Sequence, residues 1–364
     1  MFKIDIEDVQ KEIEEGRVRS SSHNELPLSI YCYTEQTQYD KLWNDVNRYC
    51  RGLVFDNLGR CANHPFPKFF NYEELSEDER SKFSTQRLRT VCAKEDGSLI
   101  IVFWYIEGWV ISTKGSFHSE QSIAASKMLK AHPTFFCSAD KSSTYLFELT
   151  GPSNVNVCRG YKKDELILLA IRDDDGDESW DKVCEFAKDN NFKTPVLYPA
   201  WSEEFYLELK KNPNPNVEGV VLLNEDGDRC KVKTELYVSL HRLLTNLTER
   251  AVFDMWLSNS QTAIEGIPDE FFNEIRQKVD DIKTSWQEHR HTIISNWQEA
   301  KELLKTLPRK DVAINYPHLR DVLTDALADR VPDRVAFKSF CSAKGFPWDA
   351  KRDPWERVLE NISS

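Results

Sequence analysis

The stretch Lys94-Glu95-Asp96-Gly97-Ser98 constrains this chain more than any other, because it places a lysine between two apolar runs, 91–93 and 99–104. A lysine in such surroundings is poorly solvated, so we expect its ammonium pKa to fall and its free amine to be available as a nucleophile. Gly97 allows the backbone to turn tightly where a phosphate could approach. The alternative is an ordinary β-hairpin turn, since Asp-Gly between two apolar runs is a common hairpin signal.

Composition excludes several classes of protein. The chain has 364 residues, of which 40% are hydrophobic, and is long enough for two or three hydrophobic cores. No apolar run approaches membrane-spanning length, and Met1-Phe2-Lys3-Ile4-Asp5 does not resemble a signal peptide. Nine cysteines without a CxxC pair indicate a reducing, cytoplasmic compartment and argue against a zinc site. The net charge of −12 decides nothing about nucleic acid, because local basic clusters set phosphate affinity.

The first two thirds of the chain favour an α+β fold built on antiparallel sheets. Residues 1–20 are typical of a charged helix, and helices are also predicted near 119–131 and 179–191. Between about 28 and 244, short β-rich runs are separated by Asp-Gly, Pro and Asn turns, a spacing that suits antiparallel sheets better than regular βαβ alternation. The runs are Leu53–Phe55, Trp109–Ile111, Tyr145–Phe147, Leu166–Ala170 and Gly219–Leu223. The acidic run Asp173–Asp177 is interpreted as a hairpin turn rather than a calcium loop, because no glutamate stands at the twelfth position.

The period of the apolar residues changes after about residue 245. Apolar residues then recur at three- and four-residue steps, and no Gly or Pro occurs between Pro268 and Pro308, which predicts one long amphipathic helix or two in series. Shorter helices are predicted around 319–329 and 334–343, and Trp286 and Trp297 are expected in the core. We therefore divide the chain into an N-terminal α+β region, 1–245, and an all-α C-terminal domain, 246–364.

Several other segments share the phosphate-binding character of the Lys94 turn. They contribute Arg51 before a strand, Lys68 among aromatic residues, Lys114 in a hydroxyl-rich turn, Glu148 between apolar neighbours, Glu218 at a strand start, and Lys231 and Lys233. The last two lie on one face of a strand, because side chains alternate with period two. Each of these residues taken alone is more often an ordinary surface or strand-end residue.

In their order along the chain, these segments resemble the motifs of the covalent nucleotidyltransferases, the superfamily of DNA ligases, RNA ligases and mRNA capping enzymes. The flanking residues narrow the resemblance to the phage T4 RNA ligase 1 family, over roughly residues 30–245. The segments that carry it are Arg51–Phe55, Lys68–Asn71, Lys94–Ser98, Ser112–Ser116, Phe147–Pro152, Glu218–Val221, Lys231–Lys233 and Tyr237–His241. The rest of the chain is similar only in size and in having a helical C-terminal domain.

The resemblance implies an ATP-dependent RNA ligase with the nucleotidyltransferase fold. Lys94 would attack the α-phosphate of ATP to form lysyl-AMP, and Asp96 and Gly97 would shape its loop. Asp96 would also contact phosphate-bound metal or water, unless it is only a turn-forming residue. By the same resemblance, Lys231 and Lys233 touch the α-phosphate, and Arg51, Lys68 and Lys114 orient the β- and γ-phosphates. Glu218 is the first candidate ligand for Mg²⁺, or Mn²⁺, and Glu148 binds either the metal or the ribose. Tyr237 matches the family but would look the same as a core aromatic.

The implied partners are RNA ends that carry a 5′-phosphate and a 3′-OH, with a cleaved tRNA anticodon loop among the candidates. The resemblance also suggests a phage protein that acts in an infected bacterial cytoplasm, and we expect a monomer without membrane association. Two alternatives stay open: another covalent nucleotidyltransferase, namely a DNA ligase or a capping enzyme, and an RNA-binding relative that has lost catalysis. The absence of a recognisable OB-fold region after Lys233 argues against the first alternative. The second is opposed by the retention of Lys94, Glu148, Glu218, Lys231 and Lys233.

Overall fold

The computed structural model describes residues 4–84, 87–154, 156–246, 248–258, 269–345 and 358. The chain divides into two compact units, Met1–His241 and Arg242–Ser364. No helix in the described ranges is long and apolar enough to cross a membrane.

The strands lie in the first unit, and helices occur in both. The strands are β1 (Val18–Ser22), β2 (Leu28–Tyr33), β3 (Arg51–Asp56), β4 (Leu88–Lys94), β5 (Ser98–Tyr105), β6 (Gly108–Ser112), β7 (Thr144–Thr150), β8 (Glu165–Asp173), β9 (Gly176–Asp177), β10 (Gly219–Asn224) and β11 (Arg229–Lys233). The helices are α1 (Ile6–Glu14), α2 (Glu35–Tyr39), α3 (Glu77–Ser81), α4 (Glu120–Leu129), α5 (Pro133–Ser138), α6 (Trp180–Asp189), α7 (Glu203–Lys210), α8 (Glu235–Asn246), α9 (Glu249–Ser258), α10 (Asp269–Leu303), α11 (Arg309–Asn315), α12 (Leu323–Leu327) and α13 (Asp333–Ala343). Short 3₁₀ turns lie at Tyr72–Glu74 and Pro317–Val322.

Three antiparallel sheets organise the first unit, in the orders β1-β2-β3, β11-β10-β4 and β6-β5-β7-β8-β9. In β5, Ile100 and Val102 pack in one core with residues of α4 and α6, while Ile101 and Phe103 pack in another with residues of β2 and β3. Both faces of the five-stranded sheet are therefore covered, which explains why β5 is a continuous apolar run rather than an alternating one. The predicted α+β class with antiparallel sheets is confirmed.

The turn at Asp96-Gly97 is not a β-hairpin. Strand β4, which ends at Lys94, pairs with β10, whereas β5, which begins at Ser98, pairs with β6 and β7. The loop therefore carries the chain from one sheet to another, and the hairpin alternative for the Lys94 motif is wrong. This crossing leaves Lys94 at the end of one sheet, beside the start of the other.

The prediction of one helix over residues 1–20 is wrong in its second half. Helix α1 ends at Glu14, Gly16 adopts a positive φ of 71°, and β1 follows and pairs with β2. Only glycine adopts such a φ without strain, so the chain leaves the helix there. The acidic run from Asp173 does form a hairpin turn between β8 and β9, in which the Asp173 carboxylate accepts hydrogen bonds from the backbone of Asp175 and Gly176.

The second unit is helical in the residues that the structure describes. The long uninterrupted pattern after Pro268 forms the single helix α10 of 35 residues. Trp286 is 2% exposed and packs edge-to-face against Phe337 and Phe340 of α13, and Trp297 packs against a second cluster around Ala300. Trp286 is therefore a core residue, as predicted, whereas Trp297 is partly buried at the edge of the second cluster.

Candidate active site

The ends of β4, β10 and β11 bring Lys94, Glu218 and Lys233 together. Gly219, at the start of β10, stands opposite Lys94 on one neighbouring strand and opposite Lys233 on the other. The preceding residue, Glu218, therefore lies between the two lysines. Its Oε2 lies 3.0 Å from Lys94 Nζ and its Oε1 lies 2.8 Å from Lys233 Nζ, and the residue is 3% exposed. A side chain at Gly219 would collide with β11, because its Cβ would lie 1.9 Å from the Val232 carbonyl oxygen.

The predicted fall in the pKa of Lys94 is wrong for the protein without ligands. Burial by itself would lower the pKa, but the negative charges of Glu218 and Glu148 and the hydrogen bond to Glu218 outweigh it, so the pKa of Lys94 is raised. The lysine is consequently held as an ammonium ion. A nucleophilic role for Lys94 requires that this carboxylate charge be balanced by another positive charge.

Strand β11 presents its lysines to the same space. Cys230 and Val232 are buried on one face, while Lys231 and Lys233 point to the other, as the period-two prediction required. The Lys231 amide donates a 3.0 Å hydrogen bond to the Phe70 carbonyl, and Asn71 forms a bridge with Lys231. This contact places the Lys68–Asn71 segment beside β11.

A cavity of about 750 Å³ opens on this face of the sheets. Its lining includes eight of the predicted site residues: Arg51, Lys68, Lys94, Gly97, Lys114, Glu148, Lys231 and Lys233. Burial lowers the pKa of Lys231 to about 7, helped by the nearby charges of Lys68 and Lys233. Burial likewise lowers the pKa of Lys68 to about 8, helped chiefly by Arg51. A cavity in which burial and clustered cations lower the pKa of two lysines is suited to a polyanion such as a triphosphate, which would favour their charged forms.

Glu148 reaches the cavity from β7, in the other sheet. Burial raises its pKa to about 7, and the charge of Glu218 adds to this while Lys94 opposes it. Glu148 and Glu218 both act electrostatically on Lys94, so two carboxylates from different sheets converge near one amine. This donor set suits a divalent cation that binds few carboxylates and completes its shell with water or phosphate oxygens.

Asp96 and Tyr237 support the loop and are not among the residues that line the cavity. Asp96 Oδ2 accepts hydrogen bonds from the backbone N–H groups of Val157 and Cys158, at 2.8 and 2.7 Å. Its Oδ1 accepts one from the Tyr237 hydroxyl, at 2.8 Å, and one from Asn156 Nδ2, at 3.2 Å. Burial would raise the pKa of Asp96, but these donors together lower it. The contacts favour the loop-shaping role for Asp96 over contact with phosphate-bound metal or water, because both carboxylate oxygens already accept hydrogen bonds from the protein.

Gly97 is required by packing rather than by a special backbone angle. A Cβ at this position would lie 2.1 Å from the Leu149 carbonyl oxygen of β7. The lysine loop therefore lies directly on the neighbouring strand, at the point where Glu148 enters the cavity.

Sequence reasoning missed Tyr161, which stabilises the lysine loop through two hydrogen bonds of its hydroxyl group. Its hydroxyl donates to Glu95 Oε2 at 3.0 Å and accepts from the Asp96 amide at 3.1 Å. Tyr161 lies 65 residues beyond Asp96 in an irregular segment, so neither periodicity nor spacing connects the two.

Comparisons with known proteins give the family of the chain. A family model described as RNA ligase, of the T4 RNA ligase 1 type, matches residues 49–237, which is more than half of the chain and includes every predicted site residue. The RNA ligase of Rhodothermus phage RM378 is 24% identical over 331 residues, 72% of this chain and 74% of that protein. A protein of Autographa californica nuclear polyhedrosis virus, named as a candidate bifunctional polynucleotide kinase/RNA ligase, is 27% identical over 88% of this chain, which spans 50% of that protein.

Among solved structures, the Naegleria gruberi RNA ligase with PPi is similar, with 14% identity, a TM-score of 0.41, and coverage of 65% of this chain and 82% of that one. The family model covers more than half of the chain, residues 49–237. This range begins just before β3, ends in α8 and includes the whole of β4, β7 and β11. The chain therefore belongs to the RNA ligase family of the T4 RNA ligase 1 type.

Proposed function

We propose that this RNA ligase uses ATP and works through a covalent AMP adduct on Lys94. The observation that supports this most directly is the cavity, which combines the half-buried amine of Lys94 with five other predicted cationic residues and the carboxylate of Glu148. The cations are Arg51, Lys68, Lys114, Lys231 and Lys233, and Glu218 adds a second carboxylate through its ion pairs with Lys94 and Lys233.

In the proposed first step, the Lys94 amine attacks the α-phosphorus of ATP. A P–N bond forms, the bond from the α-phosphorus to the bridging oxygen breaks, pyrophosphate leaves, and the lysine loses a proton. Lys231 and Lys233 would stabilise the negative charge that develops on the α-phosphate oxygens, because fixed cations in a desolvated site act strongly on a transition state. Arg51, Lys68 and Lys114 would hold the β- and γ-phosphates so that pyrophosphate leaves in line.

The residues present fit a divalent cation, Mg²⁺ or Mn²⁺, held by Glu218 with Glu148 as a second ligand or as a ribose contact. When bound, such a cation would neutralise charge on the carboxylates and the phosphates. Glu218 would then no longer keep the Lys94 ammonium protonated through its full negative charge. This accounts for a nucleophile that is held charged in the protein without ligands.

In the later steps, AMP passes to an RNA 5′-phosphate and a 3′-OH then displaces it. The 5′-phosphate oxygen attacks the AMP phosphorus and releases Lys94. The RNA 3′-OH next attacks the 5′-phosphorus, closing the phosphodiester and releasing AMP. We propose RNA ends of this chemistry as substrates, with a cleaved tRNA anticodon loop as the candidate for selection by the helical unit.

The test is to incubate the full chain with Mg²⁺ and either ATP or GTP labelled at the α-phosphorus, and then denature it. An acid-labile protein label from ATP, and not from GTP, is the expected result. A label from GTP would indicate capping chemistry, and no label from either nucleotide would overturn the covalent mechanism. Ligation of matched RNA and DNA single strands then separates an RNA ligase from a DNA ligase.

A further inference from the structure

Lys68 is surrounded by three aromatic rings at the edge of the cavity. Its Nζ lies 5.8 Å from the ring centroid of Tyr33, 5.4 Å from that of Trp43 and 5.7 Å from that of Phe70. All three distances lie within the range in which an ammonium is attracted to the face of a ring. We refer to Tyr33, Trp43 and Phe70 as the Lys68 cage.

The rings of the cage support one another, with Trp43 in the middle. The Trp43 ring packs edge-to-face against Tyr33, with centroids 4.9 Å apart, and against Phe70, with centroids 5.6 Å apart. Tyr33 ends β2, Trp43 follows α2, and Phe70 lies in the segment that bridges to β11. Loss of the Trp43 ring would therefore loosen both other rings as well as remove its own contact with Lys68.

Lys68 differs from Lys94 and Lys233 in how its charge is balanced. Those two lysines form ion pairs with Glu218, at 3.0 and 2.8 Å. Within the described ranges, Lys68 forms no ion pair with a carboxylate, and Glu74 acts on it only at longer range. A carboxylate partner would compete with a phosphate for the ammonium protons, whereas ring faces attract the charge and leave those protons free to be donated.

The charged groups around Lys68 work mostly against its protonation. Those facing it are Arg51 of β3, Lys114 of the turn after β6, Lys231 and Lys233 of β11, and Glu74 of the 3₁₀ turn. Only Glu74 favours the charged form, while burial and the cations lower the pKa of Lys68 to about 8. Lys68 therefore needs an additional attraction to stay protonated, whereas an exposed lysine stays protonated without one. The three aromatic rings supply such an attraction.

From this geometry we propose that the Lys68 cage keeps the Lys68 ammonium charged and directed at the phosphates of ATP, with Trp43 as a positioning residue. The inference rests on the proposed function, since it takes ATP to be the occupant of the cavity. It assigns a role in nucleotide binding to Trp43, a side chain that does not itself line the cavity.

The experiment measures protein–AMP formation against ATP concentration from pH 6 to pH 9 in the full chain, its Trp43→Leu variant and its Trp43→Phe variant. The KM for ATP of Trp43→Leu should equal that of wild type at pH 6 within about twofold. It should rise to roughly tenfold above wild type at pH 9, because Lys68 then loses its proton at a lower pH. Taking the ratio to wild type removes the titration of Lys231 and Glu148, which both proteins share. Trp43→Phe, which keeps a ring, should restore most of the wild-type KM.

A matched control is Trp104→Leu, because Lys141 Nζ lies 3.9 Å from the Trp104 ring centroid and Trp104 does not line the cavity. This variant should keep the wild-type KM at every pH. A Trp43→Leu ratio that is the same at all pH values, or the same defect in Trp43→Phe, would overturn the proposal and leave Trp43 a packing residue.

Lys68→Arg provides an independent readout if Trp43→Leu does not fold. Arginine stays charged over this range, so the KM ratio of wild type to Lys68→Arg should rise between pH 7 and pH 9. A flat ratio together with a wild-type KM for ATP in Lys68→Met would overturn the proposal, because the charge of Lys68 would then not matter for ATP. Failure of the proposed function is distinct from these outcomes, because wild type itself would then form no AMP adduct.

Discussion

Glu218 Oε2 lies 3.0 Å from Lys94 Nζ, so the candidate nucleophile is paired with the candidate metal ligand. The same carboxylate also holds Lys233, through its other oxygen. The ion pair raises the pKa of Lys94 and so favours its ammonium form. This relationship between two residues connects the proposed nucleophile, the proposed role of a divalent cation and the expected pH dependence of the first step.

Replacement of Lys94 by Ala or Arg should abolish protein–AMP formation. Alanine lacks the amine, and arginine stays protonated and cannot attack the α-phosphorus. The measurement is the acid-labile label from α-labelled ATP on denatured protein. The exposed Lys162→Ala is the control and should label like wild type. A covalent AMP adduct on Lys94→Ala would show that another residue is the nucleophile.

Replacement of Glu218 by Gln should lower the pKa of Lys94, because the negative charge that raises this pKa most is removed. Acetic anhydride should then acetylate Lys94 at lower pH than in wild type, as measured by peptide mass spectrometry. Adenylylation should nevertheless fall, by one to two orders of magnitude or roughly 1.4 to 2.8 kcal/mol, and should require more Mg²⁺, because the metal ligand is lost.

Glu165→Gln is the control for the Glu218 substitution, since Glu165 pairs with Lys193 away from the cavity. It should change neither the acetylation of Lys94 nor the Mg²⁺ requirement. An unchanged Mg²⁺ requirement in Glu218→Gln would mean that Glu218 acts only as the ion-pair partner of Lys94.

Binding of an unreactive ATP analogue should take up protons at pH 8. Lys231, whose pKa is about 7, is then mostly neutral, and Lys68, whose pKa is about 8, is half charged. Phosphates beside them favour the ammonium forms, so about one proton or more should be bound, while at pH 6 the uptake should be close to zero. Calorimetry with α,β-methylene-ATP in buffers of different ionisation enthalpy measures this number.

Lys231→Met should remove most of the uptake at pH 8 and should also lower adenylylation by orders of magnitude, as should Lys233→Ala. Equal uptake in wild type and Lys231→Met would show that Lys231 is already charged in the free protein. Near wild-type adenylylation in both single variants would mean that Lys231 and Lys233 take no part in the first step and are ordinary residues on the solvated face of a strand.

The pattern of the sequence was sufficient for the strand-like runs that it marked and for the long helix, although it missed β1, and the eight predicted residues that line the cavity came from the resemblance to a family. The sign of the Lys94 pKa shift was not predictable from its apolar neighbours, because Glu218 comes to it from a strand 124 positions later through the β4–β10 pairing. The role of Asp96 depended in the same way on Tyr237 and on the loop around Val157. Local sequence reports burial well, but the partner that balances a buried charge is set by strand pairing.

Asp96→Asn should destabilise the protein by about 2–3 kcal/mol at pH 7, and Tyr237→Phe by about 1–2 kcal/mol, because buried hydrogen bonds to a carboxylate are lost. The folded-state pKa of Asp96 is lowered, so its contribution is present above the unfolded pKa of about 4 and is lost as pH falls through the folded value. Urea unfolding at pH 7 and pH 3 should therefore show a smaller difference between wild type and Asp96→Asn at the lower pH. An equal difference at both would mean that the charge of Asp96 contributes nothing to folding.

A fragment of residues 1–250 should still form the AMP adduct, because every residue proposed for that step lies between Arg51 and Tyr237. It should lose any preference for a cleaved tRNA over a plain single strand, since we assign that preference to the helical unit and to basic side chains such as Arg309, Lys310 and Arg320. Such phosphate contacts weaken with salt, so the full chain should lose its preference as ionic strength rises.

The measurement is AMP labelling followed by ligation of both RNAs, with circular dichroism as the control for folding. A folded fragment that cannot react with ATP would show that the second unit contributes to the first step. A fragment that keeps its full tRNA preference would place RNA selection within residues 1–250.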